Sequence, residues 1–286
     1  MRGAKEPRER RLSDIIGGFA RKYLSCRRAL SPVIAVIVLA SVLGIIVFVA
    51  SNIANDIVGA HVEEAQFEQA KYVMLSLDKL IKRIMYEPES SGYVKTSFWK
   101  VTPYFERAIG NLTIEAPELE ITIPVNVIKI KGGPRVGVPA RQTLLGDENL
   151  IITDLTKPLG NIKVYQENGA WISMDYARVR CIVTGRNIAY YNGTVYEPYN
   201  TLEITLIKIE FKDFRVGEQA SFIARNARVT SIQRSIDRGD FTITVRRTDL
   251  NRVESIRLSS LGGDPSCKTL LNAAIITIEV SILEGV

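Results

Sequence analysis

The sequence has few of the residues on which most catalytic and metal sites depend. Among its 286 residues there is one histidine, His61, and there are only three cysteines. A zinc site needs several His, Cys or acidic ligands, and a hydrolytic triad needs a histidine beside its nucleophile. Because His61 stands alone in a helix-forming segment, we expect no enzymatic activity, no bound metal and no cofactor.

The positive charge is also missing from most of the chain. The formal net charge is +6, yet residues 1–29 contain nine Lys or Arg and three Asp or Glu, and the rest of the chain carries 28 residues of each sign. A nucleic-acid-binding protein concentrates its cations on the binding domain. We therefore expect no nucleic-acid partner, and we interpret the basic segment as a topology signal that stays in the cytoplasm.

One long run contains no charged residue at all. Residues 32–50 read PVIAVIVLASVLGIIVFVA. As an α-helix this run would span roughly 28 Å, about the thickness of the hydrocarbon core of a bilayer, and it is longer than the apolar core of a secretory signal. It predicts a membrane span that leaves the remainder of the chain outside the cell.

Helical periodicity continues beyond this span, because residues 51–87 lack proline and their apolar side chains recur every three or four residues. The recurring residues are Phe67, Ala70, Met74, Leu77, Ile81 and Ile84. They predict one apolar stripe, on a helix that ends at Glu87, packed against a neighbouring helix or against the chain's own sheet. Gly44 and Gly59 are positions where this helix could bend.

After Gly92 the apolar period changes to two residues, which predicts β-strands. Alternating segments occupy residues 112–115, 119–123, 161–165, 202–211 and 241–245. Asn168-Gly169 and Asn192-Gly193 predict tight hairpin turns. The apolar run 274–283 is too short to cross a bilayer and predicts a buried strand. The fold class is therefore α+β: a long N-terminal hydrophobic helix, made of membrane span and amphipathic stem, and then a mostly antiparallel, sandwich-like β domain.

The residues at the start of the apolar run form a specific motif. Arg28-Ala29-Leu30-Ser31 is followed directly by Pro32-Val33-Ile34-Ala35. This order resembles the class III signal peptide of archaeal type IV pilins and archaellins, over residues 27–55. The resemblance implies that a prepilin peptidase cuts between Ala29 and Leu30. It also implies that the helix, including Gly44, packs against copies of itself in a filament.

The resemblance divides the chain into a cleaved leader (1–29), a long helix (30–88) with its membrane span, and an extracellular β-rich head (89–286). It implies a structural or accessory subunit of an archaeal type IV pilus-like filament that serves adhesion. Such a subunit is located in the cell membrane or, after processing, in an extracellular filament. Its expected partners are prepilin peptidase, the membrane and other pilins. The alternative is a membrane-anchored extracellular binding protein that does not polymerise.

Two further expectations depend on this outer location. Asn111 and Asn192 each begin an Asn-X-Thr triplet, the acceptor motif for N-glycosylation. Cys181 and Cys267 both lie in the head, where an oxidising environment would permit one disulfide between them. Two separately buried thiols are the other interpretation, because sequence alone does not show that the two residues are close in space.

Overall fold

The computed structural model describes residues 32–191, 195–215, 217, 219–237 and 239–284, with side chains described except at 32–33, 186–191 and 195–197. These residues form one α-helix, α1 (Pro32–Ile84), thirteen strands and one short 3-10 helix (Ser259–Leu261). The strands are β1 (Ser91–Ser97), β2 (Thr102–Ala116), β3 (Leu119–Lys131), β4 (Gln142–Leu145), β5 (Ile151–Ile152), β6 (Asn161–Gln166), β7 (Ala170–Asp175), β8 (Val179–Tyr191), β9 (Val195–Phe214), β10 (Gln219–Ile236), β11 (Thr242–Arg247), β12 (Arg252–Arg257) and β13 (Lys268–Glu284).

The chain divides into two compact units, and the boundary falls inside α1, between Gly59 and Ala60. In the described residues the first unit is helix alone. The second unit contains the remainder of α1 together with the thirteen strands. The division predicted from the sequence placed the whole helix before the head. In the structure, residues 60–84 belong to the same unit as the strands.

The strands form two sheets, as expected for a sandwich-like domain. The six-stranded sheet has the order β1-β10-β13-β9-β8-β5, and the seven-stranded sheet has the order β12-β11-β2-β3-β7-β6-β4. Neighbouring strands are antiparallel except for β9 with β13 and β5 with β8. The apolar run 274–283 lies within β13, whose inward residues are buried. The predicted α+β class and the mostly antiparallel β domain are confirmed.

The β-rich unit has two apolar cores. In one of them the inward faces of the two sheets meet, with Ile114 and Ile123 in the same cluster as Leu206 and Leu271. Two sheets that pack face to face in this way keep their inward residues apolar and their outward residues polar.

The other core contains the apolar stripe of α1. Its six residues, Phe67, Ala70, Met74, Leu77, Ile81 and Ile84, are all buried. They share one cluster with Ile130 and Ile172 of the seven-stranded sheet and with Phe222 and Ile278 of the six-stranded sheet. The predicted stripe is therefore confirmed, and it packs against the chain's own sheets. Burying each Leu or Ile side chain contributes about 1.5–3 kcal/mol to stability.

Helix α1 ends earlier than Glu87, where the sequence placed its end. The last helical residue is Ile84, and a turn follows in which the Glu87 N–H donates to the Ile84 carbonyl at 3.1 Å. The reason is the buried amide of Asn226, whose Nδ2 lies 3.0 Å from the Ile84 carbonyl oxygen and 3.2 Å from that of Glu87. A helix leaves its last carbonyls without intrahelical donors, and this side chain supplies donors to them.

Asn226 is held in position by an irregularity in β10. The register of β10 against β13 shifts between Asn226 and Arg228. The backbone of Asn226 also exchanges hydrogen bonds with the segment after the helix, since its N–H donates to the Ser90 carbonyl and its carbonyl accepts from the Glu89 N–H, both at 2.9 Å. A β-bulge of this kind re-aims a side chain, and here it fixes the point at which helix becomes strand.

The Asn168-Gly169 turn is confirmed, with one difference in length. Gln166 and Ala170 are the last paired residues, so three residues connect β6 to β7, and Asn168 and Gly169 both have positive φ, at 50° and 122°. Asn192-Gly193 lies outside the described residues. The strands on either side of it, β8 and β9, are antiparallel neighbours in which Tyr191 is opposite Val195.

Candidate functional site

The first part of α1 exposes its apolar side chains. Between Ile34 and Val58 every Ile, Leu, Val and Phe is at least 48% exposed. The helix also contains an 18-residue window with a mean hydropathy of 2.9. A contiguous apolar surface of this size marks contact with a membrane or with another protein. Among the residues that the structure describes, one helix is thus a candidate membrane span, in agreement with the predicted span.

Two polar side chains of this segment, those of Ser41 and Asn52, form hydrogen bonds within the helix. The Ser41 hydroxyl donates to the Ile37 carbonyl at 2.8 Å, and the Asn52 amide donates to the Phe48 carbonyl at 2.9 Å. Lipid offers no hydrogen-bonding partner, so a spanning segment has to satisfy such groups internally. Both residues are therefore compatible with an apolar surrounding.

The motif residues are only partly covered by the structure. Arg28, Ala29, Leu30 and Ser31 lie outside the described residues. Pro32 and Val33 belong to the backbone of α1, and Ile34 and Ala35 are exposed on it. Gly44 is exposed as well, and a Cβ atom placed there would meet no atom within 4 Å. The resemblance to a processing site stays a prediction.

One glycosylation triplet lies on an accessible strand. The Asn111 side chain is exposed on β2, and its backbone N–H donates to the Thr248 hydroxyl at 2.8 Å. The third residue of the triplet, Thr113, bonds the Thr122 hydroxyl at 3.1 Å. Asn111 can therefore be reached from solvent, but its modification stays a prediction. Asn192 lies outside the described residues.

The structure contradicts a Cys181–Cys267 disulfide, because both cysteines are buried free thiols. Cys181 is opposite Ile204 of β9, whereas Lys268, next to Cys267, is opposite Tyr199 of that strand. The separation between Ile204 and Tyr199 along β9 is roughly 17 Å. A disulfide requires Cα atoms closer than about 7 Å. Burial raises the pKa of the Cys181 thiol to about 12, so it stays protonated and unreactive.

Sequence reasoning missed a cleft on the seven-stranded sheet. We call it the charged cleft; its volume is about 620 Å³. Residues of β3, β7 and β6 line it, among them Lys129, Ser173, Asp175, Lys163 and Tyr165. In the sequence these residues are merely the polar members of alternating strands, and that pattern is equally typical of any solvated sheet face.

Two segments flank the three strands that line the charged cleft. One is residues 138–141, which lie between β3 and β4, and the other combines the β2 irregularity around Ile109 with the β11–β12 turn around Asp249 and Leu250. The second flank requires a glycine, because a Cβ on Gly110 would lie 2.7 Å from the backbone nitrogen of Asp249. The cleft is therefore built by the strand order of the sheet and by two loops.

Arg247 is the most constrained cation of the charged cleft. Its side chain is 5% exposed; Nη1 lies 3.0 Å from Asp175 Oδ1 and Nη2 lies 2.9 Å from Asp249 Oδ2. Burial would lower the pKa of the Arg247 guanidinium, but the bonds to Asp249 and Asp175 outweigh it and raise that pKa. Arg247 is thus a permanent charge that is neutralised on two sides.

Two lysines of the cleft are paired in the same way. Lys163 Nζ lies 3.1 Å from Glu148 Oε1, and this hydrogen bond lowers the pKa of the Glu148 carboxyl. Lys129 Nζ lies 2.7 Å from Glu106 Oε2. Burial would lower the pKa of the Lys129 ammonium, but hydrogen bonds to Glu106 and Tyr165 raise it overall. The cleft therefore presents donors and acceptors in fixed positions, with the charges of Arg247, Lys163 and Lys129 paired.

Across the part of the chain that the structure describes, no group of three His, Cys, Asp or Glu residues could hold a metal ion, and His61 is exposed on α1. Comparisons of the chain with protein-family models, with curated proteins and with solved structures gave no match. The exposed apolar helix and the charged cleft are thus the two features that bear on function.

Proposed function

We propose that this chain is a pilin-like structural or accessory subunit of an archaeal type IV pilus-like surface filament, made as a precursor that prepilin peptidase cuts between Ala29 and Leu30. The observation that carries the proposal is the exposed apolar segment 34–58 of α1, which directly follows the leader motif. In the precursor this segment is the membrane anchor. After cleavage it packs against copies of itself, and the β-rich unit carries the adhesive surface.

The physical reason for this double use lies in the solvent that surrounds the helix. Inside lipid, the apolar side chains of residues 34–58 are already in an apolar medium and have no hydrophobic reason to associate. Outside the membrane, each Å² of their surface exposed to water costs roughly 25 cal/mol. Residues such as Leu39, Ile46 and Phe48, all more than half exposed, must then be covered, and copies of the same helix provide the covering.

The charge distribution supports assembly as well. Removal of residues 1–29 leaves 28 basic and 28 acidic residues. A chain without net charge does not repel its own copies at long range, so many subunits can be placed side by side. The leader, which carries the whole net charge of +6, is the part that processing removes.

The first test concerns processing. We expect Ala29→Trp to leave the precursor uncut, because by resemblance the residue before the scissile bond must be small. Intact-mass measurement of the membrane fraction would then show a chain that retains residues 1–29. Ala20→Trp, the same exchange in the middle of the leader, is the control and should be processed normally. Recovery of the shorter mass from Ala29→Trp cells would refute this cleavage site.

The second test separates a filament subunit from an anchored binding protein. In the processed chain Cys26 is absent and Cys181 and Cys267 are buried, so a new exposed cysteine is the only thiol that a water-soluble maleimide reaches. We expect Ser41→Cys chains to appear in the filament fraction sheared from cells. Their thiol should be protected there and become reactive once the filaments are dissociated and unfolded in guanidinium chloride.

The matched control is Ser260→Cys, an exposed position in the β-rich unit, which should react at once in the same filaments. A chain that stays with the membranes after shearing would favour the anchored binding protein instead. Immediate labelling of Ser41→Cys in sheared material would show that the apolar segment is not the contact between subunits.

A further inference from the structure

We propose that the charged cleft binds a neutral saccharide through the ligand's hydroxyl groups. This inference concerns the outer face of the seven-stranded sheet and does not depend on whether the chain polymerises. It is carried by the size of the cleft, by the pairing of its buried cations and by its apolar lining.

The cleft is large enough for a small oligosaccharide. A second chamber, of about 210 Å³, adjoins the main volume of about 620 Å³, and the two share Arg141, Lys163, Arg247 and Leu250 in their linings. Small-ligand sites typically occupy about 300–1,000 Å³. The two chambers together therefore form one site with a wide part and a narrow end.

The paired charges argue against an ionic ligand. The two buried cations that both chambers share already have carboxylates within about 3 Å: Arg247 has Asp175 and Asp249, and Lys163 has Glu148. At these two residues an anion would have to displace a carboxylate, and a cation would have to displace the guanidinium or ammonium group. A hydroxyl group displaces neither, because it accepts from an N–H while it donates to the neighbouring oxygen.

The wide part of the cleft offers apolar surface as well. Val127, Val138, Pro139 and Leu250 belong to its lining, together with the ring of Tyr165. A sugar ring has hydroxyls at its edge and C–H groups on its faces, so it matches a site that combines polar pairs with apolar patches.

The test uses the full chain, solubilised in an amine-oxide detergent so that no glycosidic headgroup competes for the cleft. The probe is a printed array of neutral glucans, mannans and galactans beside carboxylated and sulfated glycans. We expect retention on neutral glycans. Arg141→Ala, which removes an exposed donor at the junction of the chambers, should weaken the apparent affinity by about tenfold. Ser173→Trp, which fills the floor of the cleft, should abolish retention.

Arg257→Ala, at an exposed arginine of β12, is the matched control and should bind like the unaltered chain. The near-ultraviolet circular dichroism of each variant shows whether it is folded, and Arg141→Ala carries the test if Ser173→Trp does not fold. The proposal is overturned if no glycan is retained, if only acidic glycans are retained, or if folded Arg141→Ala binds as tightly as Arg257→Ala.

Discussion

Replacing Leu77 by alanine is expected to lower the free energy of unfolding of the β-rich unit by about 3 kcal/mol. Leu77 is fully buried and belongs to the cluster in which α1 meets residues of both sheets. Alanine favours the helix at least as strongly as leucine, so the loss arises from the cavity and from the missing apolar contacts. Such a loss would be a large part of the stability of a typical domain.

This change is measurable by denaturant unfolding of the full chain in detergent. Both tryptophans, Trp99 and Trp171, lie in the β-rich unit and report on it by fluorescence. Leu155→Ala is the control, because Leu155 is 69% exposed, and it should change stability by less than about 0.5 kcal/mol. Equal midpoints for the two variants would mean that the helix merely lies beside the strands.

Replacing Asn226 by leucine is expected to cost about 3 kcal/mol, although the two side chains are similar in size. The amide nitrogen of Asn226 lies within 3.3 Å of the carbonyl oxygens of Ile84, Met85 and Glu87. Asn226 itself is fully buried, so water cannot take its place, and each buried group left without a partner costs about 1–3 kcal/mol. The same denaturant experiment measures the loss.

Two further variants separate the amide's role from its shape. Asn226→Asp keeps the shape but replaces the donor with an acceptor, and it should destabilise the unit at least as much as leucine does. Gln233→Leu makes a comparable change on the exposed face of the same strand and should leave the midpoint nearly unchanged. If Asn226→Asp were as stable as the unaltered chain, the carbonyl contacts would not be what holds the helix end.

The sequence predicts those parts of the fold whose signal is local. The stripe from Phe67 to Ile84 has the helical period, and segments such as 202–211 have the strand period, so their type and their buried face follow from neighbouring residues. The end of α1 does not follow in this way. Pro88, which follows the predicted end at Glu87 and cannot continue a helix, marks that end only approximately. The side chain that fixes it, Asn226, lies 142 residues away from Ile84 in the sequence.

The charged cleft is unpredictable for the same reason. Arg247 and Asp175 are 72 residues apart, and they meet only because β11, β2, β3 and β7 are neighbours in that order. The spacing of apolar residues along the sequence does not encode the order of strands in a sheet. The disulfide prediction fails on this point too, since the positions of Cys181 and Cys267 along the sheet depend on the registers of β8 and β13 against β9.

The position of β13 has a consequence for how the protein is made. β13 follows the other twelve strands in the sequence, yet it lies between β9 and β10 and pairs with both. Until it arrives, the six-stranded sheet exists as two separate pieces, and β9 and β10 have to stay about 10 Å apart. In the topology proposed above, residues 1–29 stay in the cytoplasm and the β-rich unit crosses the membrane in chain order, so it would remain open until β13 has crossed. Folding of this unit would then complete export rather than accompany it.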